Sequence, residues 1–130
     1  MELQKFRLEI AGVALEGHFN NTKTATSIAA ACPIEIQLSR WGNEYYGNCD
    51  VITESEPATR EAMKIGEIAF WPPGSALCIF FGATPASIGT EPRAASPVHP
   101  LGSIHGETSA IIKALSPLPS TVKARLMLTS

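Results

Sequence analysis

Acid–base, nucleophilic and metal chemistry in this sequence could fall to His18, His99 and His105, to Cys32, Cys49 and Cys78, and to carboxylates such as Glu44, Glu67 and Glu107. A metal centre or a general base needs a second ligand or a carboxylate within reach. No His-x-His or His-x-x-x-His spacing occurs. His105 and Glu107 are two apart, which would put them on one face of a strand, but Gly106 intervenes. No metal site and no cofactor are expected. The odd number of cysteines matches no zinc spacing, and the three read as buried free thiols of a reducing compartment. Cys78 lies in an apolar run where a thiolate is disfavoured. Ser75 follows a glycine but lacks the Gly-x-Ser-x-Gly elbow of hydrolases. Glu44 and Glu67 could work as acid and base only if the fold brings them together.

The aromatic residues make a stronger pattern. Trp41, Tyr45, Tyr46, Phe70, Trp71, Phe80 and Phe81 could form a pocket that grips an apolar or planar ligand, with Trp and Tyr supplying polar handles. Trp41, Tyr46 and Trp71 flank turn signals, where pocket rims form. Phe80 and Phe81 lie in a continuous apolar run and read first as core, with a place in the pocket as the alternative. Trp71-Pro72-Pro73-Gly74 could be a rigid lip, since proline fixes φ, or a plain strand-ending turn.

These side chains must be positioned by strands. Lys5 to Ile10 alternates, with Phe6, Leu8 and Ile10 on one face, and Val13 to Phe19 returns after an Ala11-Gly12 turn. Asn20-Asn21 offers an N-cap to a short helix over Thr22 to Ala31, which Pro33 stops. Ile34, Ile36 and Leu38 alternate with polar residues, and Glu44 to Ile52 follows Trp41-Gly42-Asn43 as a further strand. Glu54 to Met63 reads as a loop or helical turn. Ile65 to Trp71 is a strand, and Ala76 to Phe81 is apolar enough to be buried on both faces. Gly82 to Pro100 holds four prolines and reads as a long loop. Leu101 to His105 is a short strand. Thr108 to Leu115 is a helix with Ile111, Ile112 and Leu115 on one side, and Thr121 to Thr129 is the last strand. The expected class is mainly β: a single domain over 1–130, built as a closed or nearly closed antiparallel barrel of about eight strands with two short helices.

Composition narrows the partners. The formal net charge is −2, with no run of like charge, so no nucleic-acid partner is expected. No apolar run approaches the length that spans a membrane and no signal core is evident, so a cytoplasmic protein without a membrane partner is expected.

The stretch Gly66-Glu67-Ile68-Ala69-Phe70-Trp71-Pro72-Pro73-Gly74-Ser75-Ala76-Leu77-Cys78-Ile79-Phe80-Phe81-Gly82 resembles the hallmark of a small prokaryotic cyclophilin-like family. The early hairpin, the helix near residue 25 and the terminal Val-x-Ala-x-Leu strand agree with that family's layout. The resemblance implies a cyclophilin-like barrel, and it raises the possibility of prolyl isomerisation. Gly74-Ser75 to Phe80-Phe81 is similar to the cyclophilin strand Gly-Ser-Gln-Phe-Phe, although Ala76 stands in place of the glutamine. His99, before Leu101-Gly102, is similar to the histidine that precedes a core strand there. The Phe-His-Arg stretch followed by Gln-Gly-Gly-Asp has no counterpart. Arg40 is then the catalytic candidate, with Arg93 an alternative. The candidate ligand-binding set is Trp41, Tyr46, Phe70, Trp71, Phe80 and His99. The first functional expectation is a binding module for a small molecule or a proline-containing peptide. The second is a subunit of a larger assembly, such as a homo-oligomer, docking through the 82–100 segment. The third is an isomerase with an altered site.

Overall fold

The computed structural model of the chain describes residues 3–51, 57 and 59–129. β1 (Lys5–Ile10) and β2 (Val13–Phe19) form the expected hairpin. Its two turn residues, Ala11 and Gly12, both take positive φ, at 48° and 85°. Such turns match the right-handed twist of the strands they join. Helix α1 (Lys23–Ala31) follows. Its cap is Thr22, not the asparagines before it: the Thr22 hydroxyl accepts from the Ala25 N–H at 3.2 Å. Asn20 instead accepts from Thr22 and so braces the cap. Ala25, Ile28 and Ala29 are buried, and the helix packs on β2 and on a later strand, β8.

β3 (Ile34–Arg40) and β4 (Glu44–Asn48) come next, then β5 (Arg60–Ala62), β6 (Glu67–Trp71) and β7 (Ala76–Phe80). β8 (Arg93–Ile104), α2 (Thr108–Leu115) and β9 (Thr121–Thr129) complete the chain. The pairing order β2-β1-β9-β3-β4-β7-β6-β8 returns to β2, so eight strands make a nearly closed antiparallel ring; β5 adds to β8 outside it. This is the mainly β architecture with two short helices that the alternation predicts. In α2, Ile111 and Leu115 lie one turn apart and are buried, whereas Ile112 turns outward. No helix among the described residues is long and apolar enough to cross a membrane.

The ring closes where Gly17, His18 and Phe19 pair with Ile104, Ser103 and Gly102. The backbones approach so closely that a Cβ on Gly17 would lie 2.2 Å from the Ser103 carbonyl oxygen, and one on Gly102 would lie 2.1 Å from that of His18. Glycine at both places is what lets this seam form.

Two segments depart from the sequence expectation. The supposed loop over 82–100 is a loop only to Pro92; from Arg93 it is the start of the twelve-residue β8. Pro97 and Pro100 are tolerated because the ladder is irregular there. The β6–β8 register slips between Ile68 and Ala69, opposite Gly102 and Pro100, and the β5–β8 register slips between Arg60 and Ala62. A proline costs no ladder bond at such slips. The supposed loop over 54–63 includes the short strand β5; residues 54–56 and 58 lie outside the described residues, as does Ile52 of the expected fourth strand.

All five residues of β7 are buried. Leu77 and Ile79 face the large core inside the ring, with Phe6, Leu38, Tyr45 and Phe70. Cys78 and Phe80 face outward into a second, smaller core with Met63, Ala69, Ala94 and Val98. The start of β8 therefore covers the outer face of the β6–β7 wall, and the two-faced apolar strand needs that cover.

Candidate functional site

The second core does not fill its space. A cavity of about 300 Å³ opens beside it, lined by Trp41 and Glu44 at the β3–β4 turn, Tyr46 of β4, Trp71 of β6, Cys78 of β7, and Ala94, Ala95 and Val98 of β8. Its position follows from strand alternation. Tyr45 points into the ring, so Glu44 and Tyr46 must point out, and Tyr46 sits opposite Cys78 in the β4–β7 ladder. The turn is closed by two backbone bonds, Trp41 N–H to the Glu44 carbonyl at 2.8 Å and Glu44 N–H to the Trp41 carbonyl at 3.2 Å.

Trp71 is fixed from two sides. Its indole N–H donates to the Ser96 hydroxyl at 2.7 Å, which ties the end of β6 to β8. The short 3-10 turn Pro72–Gly74 then folds under the ring, so closely that a Cβ on Gly74 would lie 2.9 Å from the indole. The Pro-Pro-Gly sequence thus serves as a support for the aromatic wall.

Glu44 is the unusual member. It is only 5% exposed, and its Oε1 has no hydrogen-bond partner among the described residues. Burial pushes its carboxyl up to about 7, opposed by a hydrogen bond with the Cys78 side chain. The Cys78 thiol is itself pushed well above its usual value, first by burial and then by the Glu44 charge. Cys78 is therefore a thiol and no nucleophile. A carboxyl that titrates near neutrality, with a free oxygen in an aromatic cavity, can accept a hydrogen bond or a positive charge from a ligand, or hold a proton.

The structure brings together Trp41, Tyr46 and Trp71 of the sequence-predicted set. Phe80 lies beneath them, fully buried in the adjoining small core. Phe70 faces the other way, into the ring, with its centroid 6.4 Å from that of His99. Neither Phe70 nor His99 lines the cavity. Arg40 does not line it either. Its Nε donates to the Gly42 carbonyl at 2.8 Å, its Nη1 to the carbonyls of Ser116 at 2.7 Å and Leu118 at 3.4 Å, and its Nη2 to Asn43 Oδ1 at 2.9 Å. The guanidinium lies 5.0 Å from the Phe81 ring centroid. It thus staples the β3–β4 turn to the α2–β9 connection. Arg93 pairs with Glu91 at 3.0 Å and Glu61 at 3.6 Å.

Glu44 and Glu67 do not share the site, because Glu67 is held by Arg60 at 2.6 Å and accepts from the Lys64 N–H at 2.7 Å. His105 meets His18 across the β2–β8 seam, with ring nitrogens 2.8 Å apart. No cluster of three or more His, Cys, Asp or Glu side chains suited to a metal occurs among the described residues. Sequence reasoning passed over Ala94, Ala95 and Val98, and weighed Glu44 only as a partner of Glu67. One signal was available: a strand apolar on both faces must be covered outside, and its neighbour's outward residues are then buried too.

Comparison with known proteins agrees with this architecture. A hypothetical protein of Archaeoglobus fulgidus, known from a solution structure, superposes with a TM-score of 0.78 at 27% sequence identity, over 98% of this chain and 95% of that one. No curated protein gives a match. The family profile described as Cyclophilin-like matches residues 4–122. A profile match over that span, on an eight-stranded antiparallel ring, means that this chain belongs to the cyclophilin-like family.

Proposed function

We propose that the protein is a binding module whose ligand, a small and largely apolar molecule or the tip of a proline-containing peptide, occupies the outer cavity between β4, β7, β6 and β8. The observation that carries this reading is a cavity of about 300 Å³ walled by Trp41, Tyr46 and Trp71 with an unpartnered Glu44 oxygen among them. That volume is at the lower end of small-molecule sites, and apolar walls with one placed polar group are their usual make-up. The isomerase alternative would need a guanidinium at the cavity. Arg40 and Arg93 are both engaged elsewhere. The binding reading is therefore favoured over it.

Trp41 and Trp71 are the chain's two tryptophans, and both line the cavity. Tryptophan emission, excited beyond the tyrosine band, therefore reports the proposed site. Titration with small aromatic and apolar fragments is expected to shift or quench this emission and raise the melting temperature. Trp71→Ala is expected to abolish the response. No isomerisation of a proline tetrapeptide is expected even at high protein concentration. A fragment set that leaves both emission and melting temperature unchanged would count against the proposal.

A further inference from the structure

Resting on that binding reading, we infer that the ligand is a small protonated amine, its N–H on Glu44 and its carbon skeleton against Trp41, Tyr46 and Trp71. Glu44 Oε1 is buried and has no hydrogen-bond partner among the described residues. A buried carboxylate oxygen without a donor is strongly disfavoured, so Oε1 calls for a ligand that brings one. Among the described residues, none brings it a cation. The lining holds no Lys, Arg or His. Arg93 on β8 is paired with Glu91 and Glu61, and Arg60 on β5 with Glu67. Arg40 on β3 is held by backbone carbonyls and Asn43.

The other walls suit the same ligand. Three aromatic side chains line one small cavity with a single acid, and aromatic faces attract cations, most strongly when desolvated. A charge-assisted N–H···O bond to Glu44 is stronger than a neutral one. A quaternary ammonium would have no N–H to give to Oε1, so the amine carries at least one.

The titratable groups that face Glu44 are few. From β7 it meets Cys78, and Tyr46 stands on its own strand; β6 and β8 present Trp71, Ala94, Ala95 and Val98, none of which titrates. The carboxyl, raised to about 7 by burial, is part protonated at neutrality. An ammonium binds the ionised form, so its affinity must rise with pH through that value. A neutral donor gains much less from that ionisation, because it carries no charge of its own.

The test uses the native protein and two probes of nearly one shape, benzylammonium and benzyl alcohol, titrated by calorimetry and tryptophan fluorescence at about pH 5.5 and about pH 8.5. With a carboxyl at about 7, the ionised fraction changes about thirty-fold between these conditions. Benzylammonium is expected to bind about thirty-fold more tightly at the higher pH, by the same linkage, and there to outbind benzyl alcohol. Glu44→Gln is expected to erase the preference, and the pH series on the native chain needs no variant to be decisive. Equal binding of the two probes, an amine affinity that does not rise with pH, or a preference that survives Glu44→Gln overturns the inference and leaves the cavity as a binding site for neutral molecules. Failure of both probes to bind or to change the emission overturns the cavity reading itself, and this inference with it.

Discussion

The indole N–H of Trp71 donates to the Ser96 hydroxyl at 2.7 Å, joining the last residue of β6 to the segment of β8 that covers the outer wall. Removing the hydroxyl leaves a part-buried donor unpaired, which costs about 1–3 kcal/mol. Ser96→Ala is expected to lower stability by about 1 kcal/mol in denaturant titration and to broaden and red-shift the Trp71 emission as the ring loosens. An unchanged emission spectrum would show that the Pro72–Gly74 turn alone holds the ring.

Glu44 makes stability depend on pH in a definite direction. Its folded value, about 7, lies above the ordinary 4.5, so between those limits the folded state binds more protons than the unfolded one. Its contribution is fully present below the unfolded value and is lost as pH rises through 7. The difference amounts to about 3 kcal/mol at most. Unfolding of the native chain and of Glu44→Gln, compared across this window, is expected to show a falling difference as pH rises. Glu91, held down to about 2 by the Ile88 and Gly89 N–H groups and by Arg93, acts in the opposite sense and below that window. It does not obscure the comparison.

Arg40 holds two connections together and is expected to matter for folding more than for binding. Arg40→Ala removes bonds to the Ser116, Leu118 and Gly42 carbonyls and to Asn43. A loss of about 2–4 kcal/mol is expected, with ligand affinity at the cavity nearly unchanged in the fraction that folds. Lysine cannot reproduce the forked donor set, so Arg40→Lys is expected to restore less than half of the loss.

The seam glycines give a steric prediction. Gly17→Ala would drive a methyl group against the Ser103 carbonyl at 2.2 Å and the Phe6 ring at 2.4 Å. A cost of about 3 kcal/mol or more is expected. Gly12→Ala, with positive φ but nothing within 4 Å, is expected to cost only about 1 kcal/mol. Melting temperatures of the two variants, measured side by side, check the order.

Much of this was readable along the chain, because strand alternation is local. Phe6, Leu8 and Ile10 in β1, and Ile34, Ile36 and Leu38 in β3, carry their orientation in their spacing. The double burial of β7 was equally plain. β8 was not, because its prolines argue against a strand until its slipped ladders with β6 and β5 are known. The same division holds at the site. Trp41, Tyr46 and Trp71 stand next to turns, and that position marked them. Glu44 looked like any strand-end carboxylate. Its character comes from Cys78 across the β4–β7 ladder and from the cover supplied by Ala94 and Val98, contacts between residues far apart in the chain. Arg40 misled for a related reason: what engages it, Ser116 and Leu118, lies more than seventy positions away.

The ring order has a kinetic consequence. The hairpin of residues 5–19 finds its two lateral neighbours in β9 and β8, the last strands of the ring to be made. During synthesis it must wait with both edges bare, and unpaired edges invite association between chains. Closing so long a loop is also slow compared with forming local structure. Closure of the ring must therefore wait until β9 has been made. Its yield will depend on protein concentration during refolding more than that of a fold whose first strands pair with their immediate successors.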